Sequence, residues 1–149
     1  MPIPPFRSDH WLPEGHHAAT WEEVEDIFGG EPGSVRREIL TRLLTCRDAA
    51  RAKGLSGQVV LNGSFISAKE NPGDFDLLFV YDTVSETIVQ QDIEALALID
   101  PIRCKVAFGG DVFAYSASMV TSHPQFFPTD SFDRIKFTEI KKGVLELEL

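Results

Sequence analysis

The chain has 149 residues, 43% of them hydrophobic and 25% charged, which fits one ordinary globular domain with enough apolar mass to bury a core. Its 23 Asp and Glu outnumber 14 Lys and Arg for a formal charge of -9, and this argues against generic binding to DNA or to an anionic membrane surface. Cys46 and Cys104 have no C-x-x-C or Cys/His spacing, no apolar run reaches membrane-spanning length, and MPIPPFRSDHWLPEG lacks a basic start followed by an apolar stretch, so a cytoplasmic protein without disulfides, structural zinc or membrane span is expected.

Residues 1–19 carry four prolines and neither a helical nor a strand period, which predicts an extended surface arm anchored by Trp11 and Leu12, ahead of a single domain over 20–149. Thr20 and Glu23 form a capping-box pair opening a short helix, WEEVEDIF, that stops at Gly29 and Gly30. Ser34 offers the cap of a longer helix in which Val35, Ile39, Leu40, Leu43 and Leu44 recur at helical spacing until Gly54. Its polar side carries Arg36, Arg37, Arg42, Arg47 and Arg51, read as a solvated basic face.

QVVLN then reads as a strand broken at Gly63-Ser64, and DFDLLFVY as a second strand, apolar on both faces after Asp76 and hence internal to a sheet. Ile88, Val89, Ile93, Leu96 and Ala97 predict one helix between Glu86 and Ile99. RCKVAFGGDVFAYS reads as strand interrupted at Gly109-Gly110, and VLELEL as a closing strand. The region between them holds Phe126, Phe127, Pro128, Phe132 and Phe137, read as core or interface before base stacking, and His123, read as a loop residue. The order of elements implies an α/β (α+β) domain, a mixed sheet with helices packed on it.

Asp74 and Asp76 in DFD raise the main question. On a strand they project to the same side, with Phe75 turned to the opposite layer, and two carboxylates on one partly buried face repel unless a cation compensates them. Asp111 in GGDVF, on a neighbouring strand, is a candidate third acid. Three carboxylates on adjacent strands make an oxygen-rich site suited to Mg²⁺, and Ser64 with nearby backbone N–H groups would face the phosphates of a nucleotide. The plainer readings are a turn aspartate after Gly73 with an edge-strand charge, a hairpin residue for Asp111, and a helix N-cap for Gly63-Ser64. His10, His16 and His17 lack the carboxylate or Cys partners of a metal site.

A Gly-Ser turn after one strand, Asp-x-Asp opening the next and a later acid on another strand together resemble the signature of the nucleotidyltransferase superfamily, the DNA polymerase beta-like fold. Gly63, Ser64, Asp74, Asp76 and Asp111 match it over about residues 58–115. ATWEEVEDIF and KKGVLELEL resemble pieces of small bacterial and phage members. Two departures stand out: Phe65 follows the Gly-Ser pair, and Lys69 is the lone cation of FISAKENPG.

The resemblance implies Mg²⁺ or Mn²⁺ held by Asp74, Asp76 and Asp111, an NTP such as ATP contacted by Gly63, Ser64 and Lys69, and transfer of its NMP to a hydroxyl. The little chain after Asp111 and the acidic balance point to an acceptor that is a protein or an RNA end presented by a partner. The rival readings are a catalytically silent nucleotidyltransferase-like module, such as a toxin-antitoxin or phage-defence partner, and a structural interaction protein whose acids are surface.

Overall fold

The computed structural model describes residues 3–122 and 142–149. Strands β1 (Gly15–Ala18), β2 (Gly57–Asn62), β3 (Asp76–Tyr81), β4 (Asp111–Ser116) and β5 (Gly143–Glu148) form one mixed sheet in the order β1-β5-β2-β3-β4. Helices α1 (Trp21–Phe28) and α2 (Val35–Ala52) precede β2, and a short 3-10 turn (Ser64–Ile66) follows it. Then come α3 (Thr83–Gln91), α4 (Ile93–Ala97) and α5 (Pro101–Phe108) between β3 and β4, and α6 (Ala117–Ser122) after β4. β2 is antiparallel to both β3 and β5, whereas β1–β5 and β3–β4 are parallel pairs. Parallel neighbours need a long crossover, and the run α3–α4–α5 supplies it. The architecture is the mixed α/β one that the order of elements implies. Among the described residues no helix is long and apolar enough to cross a membrane.

Helix punctuation follows the sequence at α1 and α2. Thr20 Oγ1 accepts from Glu23 N at 3.2 Å while Glu23 Oε1 accepts from Thr20 N at 3.0 Å, and Ser34 Oγ accepts from Arg37 N at 3.1 Å. One face of the sheet presents Val59, Leu61, Leu77, Phe79, Val112, Leu145 and Leu147 to the main core, which the helices complete with Val24, Phe28, Ile39, Leu40, Leu43 and Cys104. The alternate residues Val60, Leu78 and Val144 form a smaller cluster on the other face, flanked by Val80, Phe113 and Tyr115. Both faces of β3 are therefore covered, as its unbroken apolar run requires.

Four expectations are corrected. The arm is not extended surface throughout, because Gly15–Ala18 form the edge strand β1, held by the backbone pairing of His16 with Val144 and His17 with Leu145. A four-residue edge strand reading GHHA has no apolar alternation to announce it. The helix expected from Glu86 to Ile99 is two helices, since the Asp92 side chain accepts from Glu94 N and Ala95 N and starts a new one.

RCKVAF is helix α5, not strand. Asp100 caps the helix, Pro101 occupies its first turn, Gly109 ends it in the left-handed conformation, and Val106 is 85% exposed. Finally, Arg36 is no solvated charge. Its guanidinium donates to the carbonyls of Phe65 (2.6 Å), Ser67 (2.6 Å), Phe28 (3.3 Å) and Lys69, and burial pushes its pKa down. The aromatic cluster Phe126, Phe127, Phe132 and Phe137, with His123 and Pro128, lies outside the described residues.

Candidate functional site

β3 begins at Asp76, so Asp74 precedes the strand and alternation within regular β structure does not by itself place it. The chain is nonetheless extended enough there that Phe75 turns into the main core, 1% exposed, while its carbonyl accepts from Asp111 N at 3.0 Å. Gly110 permits this crossing, for a Cβ there would lie 2.3 Å from the Phe75 ring. The residues on either side of Phe75 are left on the face opposite the main core.

Strand register adds the rest. Asn62 pairs with Asp76 and Asp76 with Asp111, so three polar side chains from β2, β3 and β4 stand in one row at the end of the sheet. Asp74, Asp76 and Asp111 each bring a carboxylate oxygen into a group whose members all lie within 4.8 Å of one another. Among the described residues this is the group of three acidic, His or Cys side chains placed to hold a metal ion. Asp76 is the buried member at 5% exposure, whereas Asp74 and Asp111 are half-buried at the rim.

The Gly63-Ser64 turn sits directly against these acids. Gly63 has φ 82° and ψ -171°, a region open essentially only to glycine, and a Cβ on it would fall 2.0 Å from Asp76 Oδ2. The lack of a side chain at Gly63 thus makes the room in which the Asp76 carboxylate lies. Gly63 N donates at 2.8 Å to the Asn62 side-chain oxygen, which also accepts from the Lys142 ammonium. Lys142 is itself buried and lies 4.8 Å from the Trp11 ring centroid, so the N-terminal arm closes this side of the turn. Ser64 is half-buried at the head of the 3-10 turn, and its carbonyl accepts from Ser67 N and Ser67 Oγ.

A cation reaches the acids from α5. Lys105 Nζ lies 2.6 Å from Asp74 Oδ2 and 3.4 Å from Asp111 Oδ1. The hydrogen bond that Lys105 donates to Asp74 is the main reason its pKa is raised, with the Asp74 and Asp111 charges adding to it against partial burial. Lys69, the cation expected to contact a nucleotide, has an exposed side chain, and what is fixed is its carbonyl, gripped by Arg36.

The structure therefore brings together Asp74, Asp76, Asp111 and the Gly63-Ser64 turn, and adds residues the sequence reading left out: Asn62, Lys105, Lys142 and, as the clamp on the 65–69 segment, Arg36. Asn62 had a readable signal, being the last residue of a strand that ends in a glycine turn. Lys105 had none while its segment read as a strand. One open cleft of about 580 Å³ borders Gly57 and Gln58, at the opposite end of β2 from the acids.

The model of DUF6932, a family of unknown function, matches residues 4–148, and the chain belongs to that family. Neither a curated protein nor a solved structure matches it.

Proposed function

We propose that this member of the DUF6932 family is a metal-dependent nucleotidyltransferase of the DNA polymerase beta-like kind, moving an NMP from an NTP to a hydroxyl on a protein or RNA end. One observation carries the reading: carboxylate oxygens of Asp74, Asp76 and Asp111 converge within 4.8 Å beside a turn whose glycine makes room for Asp76. The donor set fits Mg²⁺ or Mn²⁺, being all oxygen and all carboxylate, with Asp76 and Asp111 paired across neighbouring strands and Asp74 just before the first of them. Bound there, such an ion neutralises triphosphate charge and lowers the pKa of an attacking hydroxyl.

The chain's own residues do the rest by positioning. Asp76 is fixed by strand pairing on both sides, Asp74 by the burial of Phe75, and Asp111 by its N–H bond to the Phe75 carbonyl. Since Gly63 N is already engaged by Asn62, contact with phosphate falls to Ser64 and the rest of the turn. The acceptor oxygen forms the new bond to the α-phosphorus as the bridging bond to the β-phosphate breaks, and pyrophosphate leaves. Such a transfer rests mostly on charge neutralisation and alignment, which suits a small site.

A second reading, a silent nucleotidyltransferase-like module acting through a partner, is favoured by Lys105, which already supplies positive charge to two of the three acids. Incubation with each labelled NTP, Mn²⁺ and a cell lysate separates the two. The enzyme labels an acceptor and Asp76→Asn does not, while a silent module labels nothing. With or without turnover, Asp76→Asn is expected to melt higher than the parent in metal-free buffer, because crowded carboxylates repel, and to lose the stabilisation given by Mn²⁺ with NTP. A variant that still answers metal and nucleotide as the parent does overturns the metal reading.

A further inference from the structure

We infer that Lys105 is the internal counter-ion of the acidic cluster, holding Asp74 and Asp111 in a partly neutralised resting state and competing with any divalent cation for their oxygens. The inference rests on the metal reading given above. It starts from placement: Lys105 comes from a different element, α5, and its ammonium reaches 2.6 Å from Asp74 and 3.4 Å from Asp111, two of the three carboxylates in the cluster. Three carboxylates within 4.8 Å repel one another, and an ammonium shared between two of them relieves part of that repulsion without any ion from solution.

The geometry also makes the lysine displaceable. Its side chain is half exposed, so the ammonium regains water on leaving, and a flexible four-carbon stem lets it leave without movement of the α5 backbone. A lysine required only for folding has no reason to end at the rim of the acids on so exposed a side chain. Metal entry must therefore displace a bound cation, and loading of the site acquires a threshold set by this chain.

The test compares Mn²⁺ binding to the full chain, without nucleotide, for the parent, Lys105→Met, Lys105→Arg and Asp76→Asn, by the loss of the free Mn²⁺ electron paramagnetic resonance signal. Methionine keeps the apolar stem and removes the charge. A half-exposed ion pair is worth at most about 1 kcal/mol, so Lys105→Met is expected to bind Mn²⁺ about fivefold more tightly while its metal-free form melts lower than the parent's. Lys105→Arg, keeping the charge, should show no tightening. The opposed signs matter, since a purely structural lysine would lower both stability and affinity when lost. Mn²⁺ binding that depends on Asp76 yet is equal or weaker in Lys105→Met overturns the counter-ion role and leaves the metal reading standing. Binding by Lys105→Met alone supports the role in its strongest form. No binding by any folded variant overturns both.

Discussion

Gly63→Ala probes the arrangement of the site most directly. At φ 82° and ψ -171° a Cβ costs about 1–3 kcal/mol in backbone strain alone. The new methyl would also stand 2.0 Å from Asp76 Oδ2, over ~1 Å short of van der Waals contact, and 2.9 Å from its carboxyl carbon. The buried carboxylate must move, and displacing a buried polar group from its bonds costs about 1–3 kcal/mol more.

The sum, about 4 kcal/mol, is a large share of the ~5–15 kcal/mol that holds a domain of this kind folded. With an m-value of about 2 kcal/mol/M, the urea midpoint should fall by about 2 M. A double-mutant cycle separates the two parts. Asp76→Ala removes the clashing oxygens and leaves only its own Cβ, 3.3 Å from the new methyl, so in that background Gly63→Ala should cost the backbone strain alone. The coupling expected is about 2 kcal/mol. Equal costs in the two backgrounds would refute the claim that Gly63 exists to make room for Asp76.

Three further outcomes are expected. Arg36→Ala leaves the carbonyls of Phe65, Ser67 and Lys69 without their shared guanidinium and should cost about 2–4 kcal/mol by urea unfolding, with faster proteolysis between residues 67 and 73; Arg36→Lys should restore little, because an ammonium cannot fork to several carbonyls. Burial pushes the Cys46 thiol up to about 12 and Cys104 to about 11, so both should react slowly with a disulfide reagent in the native protein at pH 8 and rapidly in urea. Since the unfolded thiols ionise near 9.0 and the folded ones later, stability from this source is complete below pH 9 and is lost as pH climbs toward 12, which alkaline unfolding curves of Cys46→Ala and Cys104→Ala check.

Local chemistry made much of this molecule readable from the chain. Thr20 with Glu23 and Ser34 mark helix starts because a side-chain oxygen satisfies N–H groups within three residues, and β3 reads as internal because both its faces are apolar. Gly63, Ser64, Asp74, Asp76 and Asp111 stood out because turn glycines and acids beside apolar runs conflict with their surroundings unless something pays for them.

The reading failed where the deciding partner is remote in sequence. β1 is a strand only because β5, more than a hundred residues later, lends it hydrogen bonds, and no property of GHHA encodes that. The same holds for the charges around the acids. Lys105, Lys142 and Arg36 look like ordinary surface cations in the sequence, and only the packing of α5, β5 and α2 against the ends of β2, β3 and β4 decides which carboxylate or carbonyl each one meets. Coulomb and hydrogen-bond energies depend on distance in space, and the chain by itself specifies only distance along its own length.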